Sequence, residues 1–213
     1  MSSGSLSVWL PRVIFESALI TASILLALAL DEWREEQQNL QTVEQAMSNF
    51  LSEIRLNKAR VDDAAPFNKG LRDVLASHSQ NVDHGSVAEF VSIMESYSPV
   101  VLQSTAWETA LATGSVTKMK YNLVAAMSLT YGMQDRYEQA TGTTMSDLMS
   151  PQNLSADRLE LSIYNAVRYL GTVTAMESEL SVAYEQAEEV IRDSWIDMRR
   201  STVEEYEEWA AAL

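Results

Sequence analysis

The sequence predicts an all-α protein, with an N-terminal transmembrane helix continuing into an elongated extramembrane helical bundle. Three observations carry that prediction. Seven glycines and four prolines in 213 residues leave long stretches without helix breakers. Val13–Leu30 is an eighteen-residue apolar run with one charge, Glu16. Beyond it, apolar residues recur at helical spacing nearly to the C-terminus, and no segment alternates apolar and polar residues as a half-buried strand does.

Taken in order, residues 1–12 form a short tail, and Pro11 suits a helix's first turn, where its missing N–H is not needed. At 1.5 Å per residue, residues 13–30 reach roughly 27 Å, close to the thickness of a bilayer's hydrocarbon core. Trp9 and Trp33 bracket the run as interfacial anchors. Ala27-Leu28-Ala29 has the small-x-small form of a signal-peptide cleavage site. The apolar run is longer than a usual signal core, however, and the following sequence continues as helix, so an uncleaved anchor is expected. Arg12 and the α-amino group outweigh the single Arg34 of the next twenty residues. That margin of one charge places residues 1–12 in the cytoplasm and residues 31–213 across the membrane, which in a bacterium means the periplasm.

Ala18, Ala22, Leu25 and Ala29 share one face of the anchor at spacings of four, three and four. Small residues let a second membrane helix approach closely, although alanine is also common in anchors that only tether. Glu16 lies about one turn inside the boundary. It either reaches back to the headgroups or pairs with a polar group of a partner. These five residues make up the predicted membrane-helix interface.

Past the anchor, Leu40, Val43, Met47, Phe50, Ile54 and Val61 form an apolar stripe with Asn57 on the same register. Asp62, Asp63 and Pro66 predict a break, followed by a shorter apolar face of Phe67, Leu71, Val74 and Leu75 and a polar loop at Ser79–Gly85. Ser86-Val87-Ala88-Glu89 has the form of a capping box, and Thr105-Ala106-Trp107-Glu108 repeats it before Gly114 ends a short helix. Two long helices follow, joined at Ser150-Pro151. Val116, Met119, Leu123, Ala126, Met133, Tyr137 and Ala140 mark the first. Leu159, Ile163, Ala166, Leu170, Val173, Leu180, Tyr184, Ala187 and Ile191 mark the second, with one doubled gap at Glu177. Ser201-Thr202-Val203-Glu204 predicts the cap of a last acidic helix. Short connections make the long helices antiparallel neighbours in a three- or four-helix bundle, with the shorter helices at the end far from the membrane.

Composition excludes much chemistry. Thirty acids against fifteen bases give a net charge of −15, a field that repels nucleic acid. The absence of cysteine removes disulfides, thiolate metal sites and a catalytic thiol. His78, Asp83 and His84 flank one loop without matching any recognised metal spacing, so a solvated loop is the favoured reading and no metal or cofactor is expected. Glu185, Glu188, Glu189, Glu204, Glu205, Glu207 and Glu208 read as a solvated helix face, with a weak calcium or basic-partner site as the alternative. Trp107 anchors a packing corner or lines a pocket together with Tyr97 and Tyr121, and packing is favoured because large aromatics are mostly buried.

The segments LLALALDEWREE and TAWETALATG resemble those of uncharacterised single-pass bacterial envelope proteins, over the first forty residues and roughly residues 104–135. The resemblance implies a bacterial membrane protein with an extracytoplasmic domain, and it brings no assigned activity. The expected function is a non-enzymatic accessory or scaffold subunit of the bacterial inner membrane. Its partners would be lipid and other membrane subunits, either its own copies or a respiratory, photosynthetic or transport complex. The alternative is a periplasmic ligand-binding sensor that signals through a partner protein.

Overall fold

The computed structural model describes residues 6–80, 86–151 and 153–211. Among them the chain is all-α, without strands. The elements are α1 (Leu6–Gln80), α2 (Val87–Glu95), α3 (Thr105–Ala112), α4 (Tyr121–Leu148) and α5 (Leu159–Ala211), with 3-10 turns at Ser115–Lys118 and Ala156–Arg158. The chain divides into two units, Met1–Gln45 and Ala46–Leu213.

In the first unit, residues 14–36 of α1 are exposed throughout. The stretch is long and apolar enough to cross a membrane. Its hydroxyls bond within the helix: Thr21 Oγ1 donates to the Ser17 carbonyl at 2.9 Å and Ser23 Oγ to that of Leu19 at 2.7 Å. Polar groups satisfied internally in this way suit surroundings that offer no water.

The second unit is built on three long helices. Buried residues of α1 recur as Met47, Phe50, Ile54, Asn57, Val61, Asn68, Leu71 and Leu75, and half-buried Ala64 completes an unbroken alternation of three and four. This is the spacing of helices packed at a shallow crossing angle. The expected break at residues 62–66 does not occur. Asp62, Asp63 and Pro66 all lie on the exposed side, so the helix bond that Pro66 removes is lost away from the buried stripe, which continues. The stripe also differs in membership: Phe67 and Val74 are 53% and 46% exposed, and fully buried Asn68 takes the core position.

In α5 every apolar residue named for the stripe is buried, and Glu177 fills the gap on the same register. In α4 the core face is Leu123, Met127, Thr130, Gln134, Tyr137 and Thr141, whereas Ala126, Met133 and Ala140 are only half buried. The alternating polar members conceal that face from a reading based on apolar spacing. The predicted last helix from Ser201 is not separate, because α5 runs through to Ala211 and Ser201 Oγ bonds back to the Met198 carbonyl at 2.9 Å.

The cross-links give the helix directions. Glu53 and Asn57 of α1 meet Tyr131 and Gln134 of α4 in the same order, so these helices run parallel. Arg55, Lys58 and Asp62 meet Glu188, Glu185 and Ser181 of α5 in descending order, so α5 is antiparallel to both. A parallel pair needs a long return. Residues 97–104 supply it, descending beside α1 from the Tyr137 level, where the Val100 amide donates to Tyr137 Oη, to the Asn57 level. The short helices therefore occupy different ends of this unit, because α3 lies beside Glu53, near the unit's start, and does not share an end with α2.

Local capping explains the short elements. Ser86 is the N-cap of α2, and its Oγ accepts the Glu89 amide at 3.1 Å, as the capping box requires. Thr113 is the C-cap of α3, followed by Gly114 at φ 70°, in the left-handed region that glycine enters freely. The N-terminus of α3 departs from expectation. Ser104, not Thr105, is the N-cap, and it makes no side-chain cap bond.

Candidate functional site

The predicted membrane-helix residues are all displayed. Glu16, Ala18, Ala22, Leu25 and Ala29 are exposed on α1, and Trp33 is 58% exposed. The side chain of Trp9 lies outside the described residues. This stretch of α1 therefore carries its small face, and Glu16, on the surface.

The body carries a ladder of polar groups inside its core. At the first level Glu53, 8% exposed, accepts the Tyr131 hydroxyl at 2.8 Å and the Ala106 amide at 3.0 Å. A carboxyl group from α1 thus caps α3 in place of a local hydroxyl. Trp107 stacks on Tyr131 with centroids 5.7 Å apart and planes 8° apart, and Phe50 tilts against both rings. At the second level Asn57 clamps the return segment, donating to the Gln103 carbonyl at 2.7 Å and accepting the Gln103 amide at 2.9 Å. Gln134 Nε2 donates to the same carbonyl at 3.0 Å. At the third, Asn68 Nδ2 and Tyr137 Oη donate to Glu177 Oε1 at 2.6 and 3.1 Å. Nearby, Tyr169 Oη donates to Tyr97 Oη at 3.2 Å, with the two rings edge to face.

These levels separate the predicted trio. Trp107 and Tyr97 belong to different ring groups, and Tyr121 is 87% exposed beside a shallow groove along α4 with Ala125, Ser128 and Gly132. Trp107 is half buried, with its ring against Phe50 and Tyr131 and not against Tyr97 or Tyr121. Burial pushes the hydroxyls of Tyr97, Tyr131, Tyr137, Tyr169 and Tyr184 above the ordinary tyrosine range, so they stay neutral; all but the unpartnered Tyr184 hydroxyl take part in hydrogen bonds.

Of the loop histidines, His78 lies among the described residues. His78 Nδ1 lies 2.9 Å from the Val74 carbonyl and Nε2 3.3 Å from Glu89, and these two contacts, the carbonyl first, raise its imidazole above the ordinary value. Asp83 and His84 lie outside the described residues. Among the described residues no three His, Asp or Glu side chains gather as metal ligands. The acidic face of α5 is partly paired: Glu188 meets Arg55 and Arg192, and Glu185 meets Lys58. Arg55 holds the Glu188 carboxyl below its usual range. Glu189, Glu204 and Glu207 are exposed, while the side chains of Glu205 and Glu208 lie outside the described residues.

Comparison of the chain with protein families, with curated proteins and with solved structures gives no match. The residues themselves therefore supply the functional argument. Glu53, Asn68, Tyr131 and Gln134 escaped sequence reasoning. For Asn68 and Gln134 the only sequence signal is a polar residue on the buried register, the same signal that marks Asn57 and Glu177, and Glu53 lies off that register.

Proposed function

We propose that this protein is a non-enzymatic, single-pass accessory or scaffold subunit of a bacterial inner membrane. Its residues 13–30 would cross the bilayer, residues 1–12 would lie in the cytoplasm and the helical body in the periplasm. The observation that carries the reading is the uncovered anchor: an apolar run on α1, exposed from Ile14 to Leu30, with Trp33 just beyond its end. Support for a role by contact comes from the small face at Ala18, Ala22 and Ala29 and from Glu16 inside the span. The likeness of LLALALDEWREE to bacterial envelope anchors agrees with that placement. The sequence also carries no recognised catalytic motif.

Topology is tested by a reporter fused after Leu213. A reporter that requires the periplasm should be active there, and a cytoplasm-dependent reporter should be silent; the reverse pattern would refute the orientation. Partnership is tested by detergent pull-down at equal bait. Ala22→Leu and Ala22→Phe should reduce partner recovery while leaving insertion intact, because a bulky side chain holds helices apart. Glu16→Gln should match that loss if the acid is paired, and fall short of it if the acid only reaches the headgroups. Full recovery in both bulky variants would mean that the anchor serves only as a tether.

A further inference from the structure

Glu177 is fully buried on α5, one turn from Val173 and Leu180, which are themselves buried. Its Oε1 accepts two hydrogen bonds, from Asn68 Nδ2 of α1 and from Tyr137 Oη of α4. Its Oε2 has no partner, and neither does Oδ1 of the equally buried Asn68. An ionised carboxylate and an amide oxygen are acceptors only, so a charged Glu177 leaves two buried acceptors facing a shortage of donors. One proton on the carboxyl corrects both. Oε2 then becomes a donor, and Asn68 Oδ1 is the unpartnered acceptor on the residue already bonded to Oε1.

We propose that Glu177 is a neutral carboxylic acid in the folded protein, paired through both oxygens with the side-chain amide of Asn68, and that this acid–amide pair is a protonation-dependent latch joining α1 to α5.

The surroundings fit that state. The titratable groups that act on Glu177 are Tyr137 from α4, Tyr97 from the segment after α2 and Tyr169 from α5, all phenols kept neutral by burial. The facing group from α1 is the uncharged Asn68. No lysine, arginine or histidine among the described residues forms an ion pair with Glu177. Burial is also the largest influence on its carboxyl and raises it above the ordinary glutamate value, against the pull of the Asn68 and Tyr137 bonds.

The direction of the pH effect follows. A carboxyl that holds its proton more tightly when folded stabilises the fold fully below the unfolded glutamate value, and that stabilisation is lost as pH rises through the folded value. Alkalinity opens the latch and acidity closes it. Glu177→Gln keeps the shape and donates from its amide at every pH, so it locks the latch shut.

The test uses the full chain in mild detergent. Infrared spectra at neutral pH should contain a protonated-carboxyl band that Glu177→Gln removes. Between about pH 5 and about pH 8 the wild type should lose more melting temperature than Glu177→Gln, by about 3–5 °C for each tenfold by which folding tightens proton binding. If Glu177→Gln does not fold, the response of the wild-type band to Asn68→Ala decides. In that case Asn68→Ala, which removes the acceptor, should shift the band's frequency. A wild type with no band at neutral pH, as expected of an ionised Glu177 hydrated by enclosed water, overturns the proposal. Parallel melting profiles for wild type and Glu177→Gln overturn it as well.

Discussion

Replacing Glu53 with alanine should lower the melting temperature of the full-length protein by about 6–12 °C, corresponding to roughly 3 kcal/mol for a chain of this size. The cost comes from the donors it abandons. Tyr131 Oη and the Ala106 amide both end on this one carboxylate, and each is held inside the packing around Phe50 and Trp107. A buried donor left unpaired costs about 1–3 kcal/mol. The loss of the cap on α3 adds about 1 kcal/mol, and relief from burying a carboxylate returns part of the total. Tyr131→Phe removes one donor and leaves the carboxylate on Ala106, so its effect should be about a third as large. The double variant should melt close to Glu53→Ala alone, since the Tyr131 bond no longer exists to be lost. Strictly additive losses would show that the two groups do not act as one unit. Near-ultraviolet circular dichroism reports the same event, because the stacked Trp107–Tyr131 pair loses its fixed geometry.

Glu53 also marks the boundary of what spacing can reveal. The stripe from Met47 to Val61 was legible because its apolar members recur every three or four residues, and Asn57 stood out as the one polar residue in phase. Glu177 was visible in the same way, as a gap in an otherwise regular series. Glu53 is adjacent to Ile54 and off the main stripe, one of thirty acids in the chain. Only the arrival of Tyr131 and Ala106, 78 and 53 residues away, gives it a role. Pro66 misled for a related reason. A missing N–H is a local fact, whereas the exposure of that side of α1 is a tertiary one, and tertiary packing decided that the helix continues. In α4 the core face is half polar, so counting apolar residues picked flanking positions such as Met133 over Gln134. The apolar run at residues 13–30 is visible without tertiary information, and the structure adds that its side chains are exposed on α1.

Deleting residues 13–30 should move the protein from the membrane pellet to the soluble fraction, while the full chain stays in the pellet through carbonate and high-salt washes. The magnitude favours an all-or-none result. Nine large apolar side chains, from Ile14 to Leu30, are each more than half exposed. At about 1.5–3 kcal/mol per fully buried side chain, their transfer into lipid is worth on the order of 10 kcal/mol after discounting the surface they already cover. A single charge placed mid-span, such as Leu25→Arg, costs about 2.5–3.5 kcal/mol and should weaken insertion without abolishing it. Complete deletion is therefore the informative variant. The body should survive it, because the second unit begins at Ala46 and its core is assembled from residues within that unit. Circular dichroism of the released protein should remain strongly helical and melt cooperatively. If the native protein is recovered soluble with its N-terminus at Leu30, the segment is a cleaved signal sequence and the anchor reading fails. If the deletion variant still resists carbonate extraction, the body holds the membrane by itself, and residues 13–30 are not what attaches this protein.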